Sequence, residues 1–151
     1  MEALDQVASS VRVLLVEDNP GDAFLTKEAL NESKILVHLD HVDDGFKALD
    51  YLYKRNKYKH VQEPDLILLD LNLPGKSGSE VLGEVKQDKH LRHIPVAMLT
   101  SSENEEDVLS SYGMGANCYV AKPVGLEEFA KIIRSLEEFW FSIVRLPFNS
   151  R

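Results

Sequence analysis

The chain has 151 residues, of which 44% are hydrophobic, and its formal net charge at pH 7 is -8. This length suits one domain, and the negative charge disfavours nucleic-acid binding, which needs a basic surface. No apolar run approaches the roughly 18 residues of a membrane span, and no secretory leader is visible. The single cysteine, Cys118, excludes an internal disulfide. We therefore expect a cytoplasmic protein that binds neither nucleic acid nor membrane.

Five apolar segments alternate along the chain with five amphipathic segments. Asn19 and Pro20 form a start signal for the first helix, and Ser77 with Glu80 has the spacing of a capping box. Three of the apolar segments are continuous, which is typical of parallel strands covered on both faces. The pattern predicts an open, doubly wound α/β sheet. Strands are predicted at 11–18, 35–42, 65–71, 94–101 and 117–123, and helices at 19–33, 44–56, 77–88, 102–115 and 125–144.

These elements divide the chain into three parts. Residues 1–10 are predicted to form a flexible N-terminal arm, and 11–144 to form the domain. Residues 145–151 are predicted to form a C-terminal tail.

Polar residues stand at the carboxyl ends of four predicted strands. The first strand ends in Glu17 and Asp18, the third in Asp70, the fourth in Thr100, and the fifth in Lys122. In an open α/β sheet, these ends form the edge where ligands bind. The topology therefore predicts that three carboxylates, a hydroxyl and a lysine gather at one edge.

This set of groups suits a metal-assisted phosphoryl transfer. Adjacent carboxylates repel one another unless a cation neutralises them, and Mg2+ prefers oxygen ligands. Asp18 and Asp70 are the candidate direct ligands, Glu17 is expected to act through a bound water, and the backbone carbonyl of Asn72 can complete the site. Asp70 can then attack phosphorus as a nucleophile, while other groups hold the new phosphate oxygens. Those groups are Lys122 and Thr100.

Each residue taken singly has a plainer interpretation. An aspartate at a strand end usually caps a helix or lies in a turn, so Asp70 alone indicates little. Lys122 alone is most often a surface lysine, and Thr100 alone a turn residue. The coincidence of all of them at successive strand ends favours a phosphoryl-transfer site.

Four stretches also resemble a known family. "LLVEDNP", "DLILLDLNLPGKSG", "PVAMLTS" and "YVAKP" occur in the order found in the receiver domains of two-component response regulators, and the resemblance spans 11–140. It implies a flavodoxin-like, five-stranded parallel sheet of order 2-1-3-4-5 with five helices, and a cis Lys122–Pro123 bond. The resemblance implies that Asp70 is the phosphoacceptor and that Mg2+ binds at Glu17, Asp18, Asp70 and the Asn72 carbonyl. It also implies that Thr100 is the phosphate-sensing hydroxyl, Tyr119 the aromatic switch and Lys122 the phosphate-binding lysine.

A narrower similarity points to one subgroup. The long segment "NKYKHVQEPD", the extended end "EEFWFSIVRLP", and the stretches "NEEDVLSSY" and "ANCYV" resemble stand-alone response regulators that pair with phytochrome histidine kinases. A phytochrome-type sensor kinase is therefore the expected partner. Such a receiver catalyses its own phosphorylation and dephosphorylation without being a conventional enzyme.

The C-terminal segment carries more apolar surface than one core needs. Phe139, Phe141, Val144, Leu146 and Phe148 extend beyond the stripe expected to pack on the sheet. Exposed apolar patches often mark an interface. We expect a homodimer through the face made by the fourth helix, fifth strand and fifth helix, with the tail. The alternative is that the tail folds back over its own domain.

Two other functions compete with a phosphorylated switch. A phosphatase with an aspartyl nucleophile would resemble haloacid-dehalogenase-like enzymes, which place a second aspartate two residues after the nucleophile as a general acid. That position is Asn72 here, and an amide cannot serve in that role. The other alternative is a receiver-shaped binding module that acts without phosphorylation. Such modules usually lose an acid, the acceptor or the lysine, and this chain keeps all of them.

Overall fold

A computed structural model describes residues 10–100 and 115–143 of the chain, with side chains described to residue 136. Its strands form one parallel sheet of order β2-β1-β3-β4-β5, which confirms the predicted doubly wound fold. Most of the predicted N-terminal arm, fourth helix and C-terminal tail lie outside the described residues. The elements are β1 Ser10–Val16, α1 Pro20–Asn31, β2 Leu36–Val42, α2 Gly45–Leu52, a 3-10 turn Asn56–Tyr58, β3 Leu66–Asp70, α3 Gly78–Gln87, β4 Val96–Thr100, β5 Cys118–Ala121 and α4 Leu126–Ile143.

The central strands are covered on both faces. Every residue of β3 and β4 is buried, as their continuous apolar sequences predict. β2 instead forms an edge of the sheet, and its side chains alternate in exposure. The alternation follows from the two-residue period of a strand that has one face on the core.

Two layers of helices enclose the sheet. On one face the core contains residues of α2 and α3, and on the other face residues of α1 and α4. No helix in the described part of the chain is both long and apolar enough to cross a membrane. The apolar stripe predicted for the last helix is buried at Phe129, Ile132, Ile133 and Leu136, whereas Leu126 is exposed.

The helix starts follow their sequence signals. The side chain of Asn19 accepts a hydrogen bond from the Asp22 N–H at 2.9 Å and caps α1, with Pro20 in its first turn. Ser77 and Glu80 form both hydrogen bonds of the predicted capping box on α3. These local signals place the starts of α1 and α3 at the carboxyl edge of the sheet, where the polar residues lie.

The second helix is shorter than predicted. It ends at Leu52, because Lys54 and Asn56 adopt φ angles of 56° and 54°, which a right-handed helix does not allow. Not every apolar residue of α1 is buried. Phe24 and Leu25 are exposed, and Ala23 and Thr26 face the core instead.

Candidate functional site

The parallel sheet brings the predicted site residues to one edge. Asp70 is the last residue of β3 and Thr100 the last residue of β4. Glu17 follows the end of β1 directly, and Lys122 follows the end of β5. The N–H of Lys122 donates to the carbonyl of Thr100 at 2.9 Å, so the register of β4 and β5 continues into the site.

Asp70 is a buried carboxylate whose two oxygens have different partners. Its side chain is 3% exposed. Oδ2 accepts a hydrogen bond from Lys122 Nζ at 3.1 Å, and Oδ1 accepts one from the N–H of Asn72 at 3.1 Å. A buried charge needs such partners, because its desolvation is otherwise uncompensated. The turn after β3 and the lysine after β5 together hold the Asp70 carboxylate in place.

Two glycines allow α3 to start directly beside Asp70. A Cβ atom on Gly78 would lie 2.1 Å from the carbonyl oxygen of Asp70, a distance that no side chain tolerates. Gly75 has a φ of 71°, which favours glycine. The "LPGKSG" stretch therefore packs the start of α3 closely against the end of β3.

Glu17 is the most deeply buried acid of the site, with no exposed surface. Lys122 Nζ lies 3.0 and 3.1 Å from its two carboxylate oxygens, and the N–H of Asn19 donates to Oε2 at 3.1 Å. Burial, followed by the nearby Asp70, raises the pKa of Glu17 to about 7 despite Lys122 and Asn19. His41 Nε2 donates to the Glu17 carbonyl oxygen at 2.7 Å and fixes its backbone.

The Lys122 ammonium is surrounded by three carboxylates. It lies 3.0 Å from Glu17, 3.0 Å from Asp22 and 3.1 Å from Asp70, and its side chain is 7% exposed. Burial lowers the pKa of Lys122, but Asp22, Glu17 and Asp70 outweigh burial and raise it. The Lys122–Pro123 bond is cis, as the resemblance implies. Lys122 is thus an ion-paired lysine inside the site rather than a surface lysine.

A candidate metal site lies at the same edge. One carboxylate oxygen from each of Glu17, Asp18 and Asp70 lies within 4.8 Å of the other two. Asp18 is exposed, so the group opens to solvent on its side. Hard divalent cations take such oxygen ligands, and the donor set therefore fits Mg2+. The N–H of Asn72 donates a hydrogen bond to Asp70, which places Asn72 beside the cluster.

Thr100 and Tyr119 lie on one face of the sheet. Thr100 is 7% exposed and follows Met98 by two residues, so both side chains point to the same face. Met98 pairs with Tyr119 in the β4–β5 register, and both belong to the core on the α2 and α3 side. Tyr119 is half-buried there. The two predicted switch residues therefore occupy neighbouring strands and a shared face.

Sequence reasoning missed two residues of this site. Asp22 contacts Lys122 from the first turn of α1, and His41 contacts the Glu17 backbone from β2. The first could have been noticed, because α1 starts at the carboxyl edge and an acid in its first turn lies near that edge. Nothing in the sequence around His41 distinguishes it from an ordinary edge-strand histidine.

Fold and site together define a receiver domain. The sequence profile of the response regulator receiver domain family matches residues 13–134. The chain belongs to this family.

Three similar proteins show which members of the family this chain resembles. Response regulator Rcp1 of Synechocystis sp. is 44% identical over 89% of this chain and 92% of its own length. The crystal structure of the phosphorylated cyanobacterial phytochrome response regulator RcpA has a TM-score of 0.74 at 44% identity, covering 88% of this chain and 95% of that one. The bacteriophytochrome response regulator AtBRR has a TM-score of 0.77 at 46% identity, covering 86% of this chain and 94% of that one. All three relatives are thus response regulators, and the two solved structures are those of phytochrome response regulators.

Proposed function

We propose that this receiver accepts a phosphoryl group on Asp70 from a phytochrome-type sensor histidine kinase, with Mg2+ bound beside it. One observation carries the proposal: the buried Asp70 carboxylate contacts Lys122 at 3.1 Å and shares a cluster of oxygens with Glu17 and Asp18. A purely structural aspartate does not need a lysine and two further acids around it. The similarity to the phytochrome response regulators RcpA and AtBRR supports the choice of kinase.

The metal proposal rests on the donor set. Glu17, Asp18 and Asp70 supply the carboxylate oxygens, and the backbone carbonyl of Asn72 is the proposed further ligand. A relative supports this, because Rcp1 has a crystal structure in a Mn2+-bound form. A bound divalent cation supplies positive charge that offsets the repulsion between these carboxylates and an incoming phosphoryl group.

In the proposed transfer, an oxygen of Asp70 attacks the phosphorus of a phosphohistidine. The O–P bond forms as the N–P bond breaks, and the histidine nitrogen keeps the electron pair. The chain contributes positioning and charge. Asn72 orients the carboxylate through its N–H, and Lys122 lies within hydrogen-bond distance of the reacting group. Thr100 is the proposed hydroxyl partner of the new phosphoryl oxygens.

The proposed output is a coupled change at Thr100 and Tyr119. Phosphorylation adds a charge of about -1.5 to -2. Movement of the Thr100 side chain toward the phosphoryl group changes the space beside Tyr119. Their shared face and neighbouring strands support this coupling. The result is a population shift between two conformers of the surface around β5.

The same surface is the proposed homodimer interface. It includes β5, α4 (the fifth helix of the sequence prediction), the predicted helix at 102–115 and the tail. β5 is an edge strand of the sheet, and Leu126 at the start of α4 is 44% exposed. Edge strands offer unpaired backbone groups to a partner. Sedimentation at micromolar concentration tests the proposal, and a monomer both with and without a phosphoryl mimic rejects it.

Labelling with acetyl phosphate tests the phosphoacceptor. We expect the wild type with Mg2+ to gain the mass of one phosphoryl group, and Asp70→Asn to gain none. Asp43→Asn is the matched control, because Asp43 pairs with the exposed Lys47. It should label like the wild type. An unlabelled wild type, under conditions that label another receiver, rejects the function and favours a binding module that acts without phosphorylation.

A further inference from the structure

Among the residues that the structure describes, Asp22 is the one carboxylate around Lys122 that does not belong to the candidate metal cluster. The cluster consists of Glu17, Asp18 and Asp70, whereas Asp22 contacts Lys122 Nζ at 3.0 Å from the first turn of α1. A lysine ammonium has three N–H donors. Glu17, Asp70 and Asp22 therefore supply one carboxylate for each donor in the described geometry, and Glu17 contacts the ammonium through both of its oxygens.

The three partners differ in what else they are needed for. A metal bound at Glu17 and Asp70 would make both carboxylates poorer partners for Lys122 before the transfer, and phosphorylation would then replace the Asp70 carboxylate by phosphoryl oxygens. Asp22 is 31% exposed and stays an available carboxylate throughout. The cap on α1 keeps it in place, since the Asp22 N–H donates to the Asn19 side chain at 2.9 Å.

We propose that Asp22 is a positioning residue that holds the Lys122 ammonium beside Asp70 while the metal and the phosphoryl group occupy the other carboxylates. The inference deepens the proposed function and rests on it. Asp22 acts through Lys122 and does not touch the reacting atoms. Without Asp22, the Lys122 ammonium samples positions away from Asp70 once the metal engages Glu17 and Asp70. Transfer of the phosphoryl group to Asp70 therefore slows.

A double-mutant cycle tests this dependence on Lys122. The variants are Asp22→Asn, Lys122→Gln and the double variant, and the readout is the rate of labelling by acetyl phosphate with Mg2+. We expect Asp22→Asn to slow labelling about tenfold, the size of one charge-assisted hydrogen bond. It should add nothing in the Lys122→Gln background. Wild-type labelling by Asp22→Asn, or an equal loss in both backgrounds, overturns the proposal, because a general charge effect does not need Lys122.

Asp43→Asn is the control for net charge. It removes one negative charge next to the end of β2, at the same edge of the sheet, yet Asp43 pairs with Lys47 instead of Lys122. We expect its labelling rate to equal that of the wild type. A slowing equal to that of Asp22→Asn overturns the proposal in favour of overall charge.

A second measurement does not depend on phosphorylation. In metal-free protein, the ammonium protons of Lys122 should exchange slowly with water by NMR, and Asp22→Asn should accelerate the exchange severalfold. Unchanged exchange in Asp22→Asn counts against the proposal. This measurement separates the two claims: a wild type that fails to label rejects the proposed function, whereas the exchange rate still decides whether Asp22 positions Lys122.

Discussion

Replacing Lys122 by methionine should destabilise the metal-free protein strongly. The substitution keeps an unbranched apolar side chain but removes the ammonium that contacts Glu17, Asp22 and Asp70. Glu17 is 0% and Asp70 3% exposed, so these carboxylates lose their countercharge without gaining water. Removing one partner of a buried ion pair costs about 3–5 kcal/mol.

The lower end of that range applies here. Asp22 is 31% exposed and can be hydrated when Lys122 is absent. Glu17 can also take up a proton, because its pKa already lies at about 7. We therefore expect Lys122→Met to lower the free energy of unfolding by about 3 kcal/mol in EDTA.

Mg2+ should reverse part of this loss. A ligand at about 100 times its Kd stabilises the folded state by about 2.7 kcal/mol. The variant should gain more from Mg2+ than the wild type does, because no ammonium competes for Glu17 and Asp70. Urea unfolding with EDTA and with saturating MgCl2 measures both quantities.

Lys47→Met is the matched control for this experiment. Lys47 pairs with Asp43 at 2.7 Å, and both side chains are about half exposed. Such surface pairs contribute little to stability, because water screens both charges. A loss for Lys122→Met no larger than that of Lys47→Met, or a loss that Mg2+ does not reduce, would refute the reasoning.

Substitutions at three further positions test the pH dependence, a buried hydroxyl and the close packing beside Asp70. The pKa of Glu17 is raised from 4.5 to about 7 in the folded protein, so its protonation stabilises the fold below pH 4.5 and this contribution disappears as the pH rises through about 7. Glu17→Gln should remove that component of the pH dependence in EDTA, and an unchanged profile contradicts the assignment. Thr26 has a buried hydroxyl without a hydrogen-bond partner among the described residues, so Thr26→Val should raise the free energy of unfolding by about 1 kcal/mol. Thr26→Ala should lower it by leaving a cavity, and a loss in Thr26→Val would show that the hydroxyl is satisfied. Gly78→Ala places a Cβ atom 2.1 Å from the Asp70 carbonyl oxygen and should destabilise the protein by more than about 2 kcal/mol in urea unfolding. A wild-type midpoint for that variant would reject the close packing.

Much of the site could be predicted because it depends on chain direction. The run "LILLD" identifies a buried strand, and parallel packing then sends Asp70 to the same edge as Glu17, Thr100 and Lys122. No side-chain rotamer is needed for this step. The capping signals of α1 and α3 were equally local, which is why both helix starts were confirmed.

The remaining details depend on contacts between distant parts of the chain. The pair of Asp22 and Lys122 joins the first turn of α1 to the end of β5, and only the packed structure determines which acid reaches the ammonium. Phe24 and Leu25 are apolar residues of α1 that stay exposed, whereas Ala23 and Thr26 are buried. Sequence periodicity indicates an amphipathic helix more reliably than it indicates the exact buried face.

Identification of the phosphorylated residue tests the central claim most directly. The protein would react with an autophosphorylated phytochrome-type kinase and Mg2+, followed by borohydride reduction, which converts an aspartyl phosphate to homoserine. Peptide mass spectrometry then locates the reduced position. The account predicts homoserine at position 70, in the peptide containing "LILLD". Transfer to another residue, or an unmodified Asp70 after the kinase has lost its phosphoryl group to this protein, would contradict it.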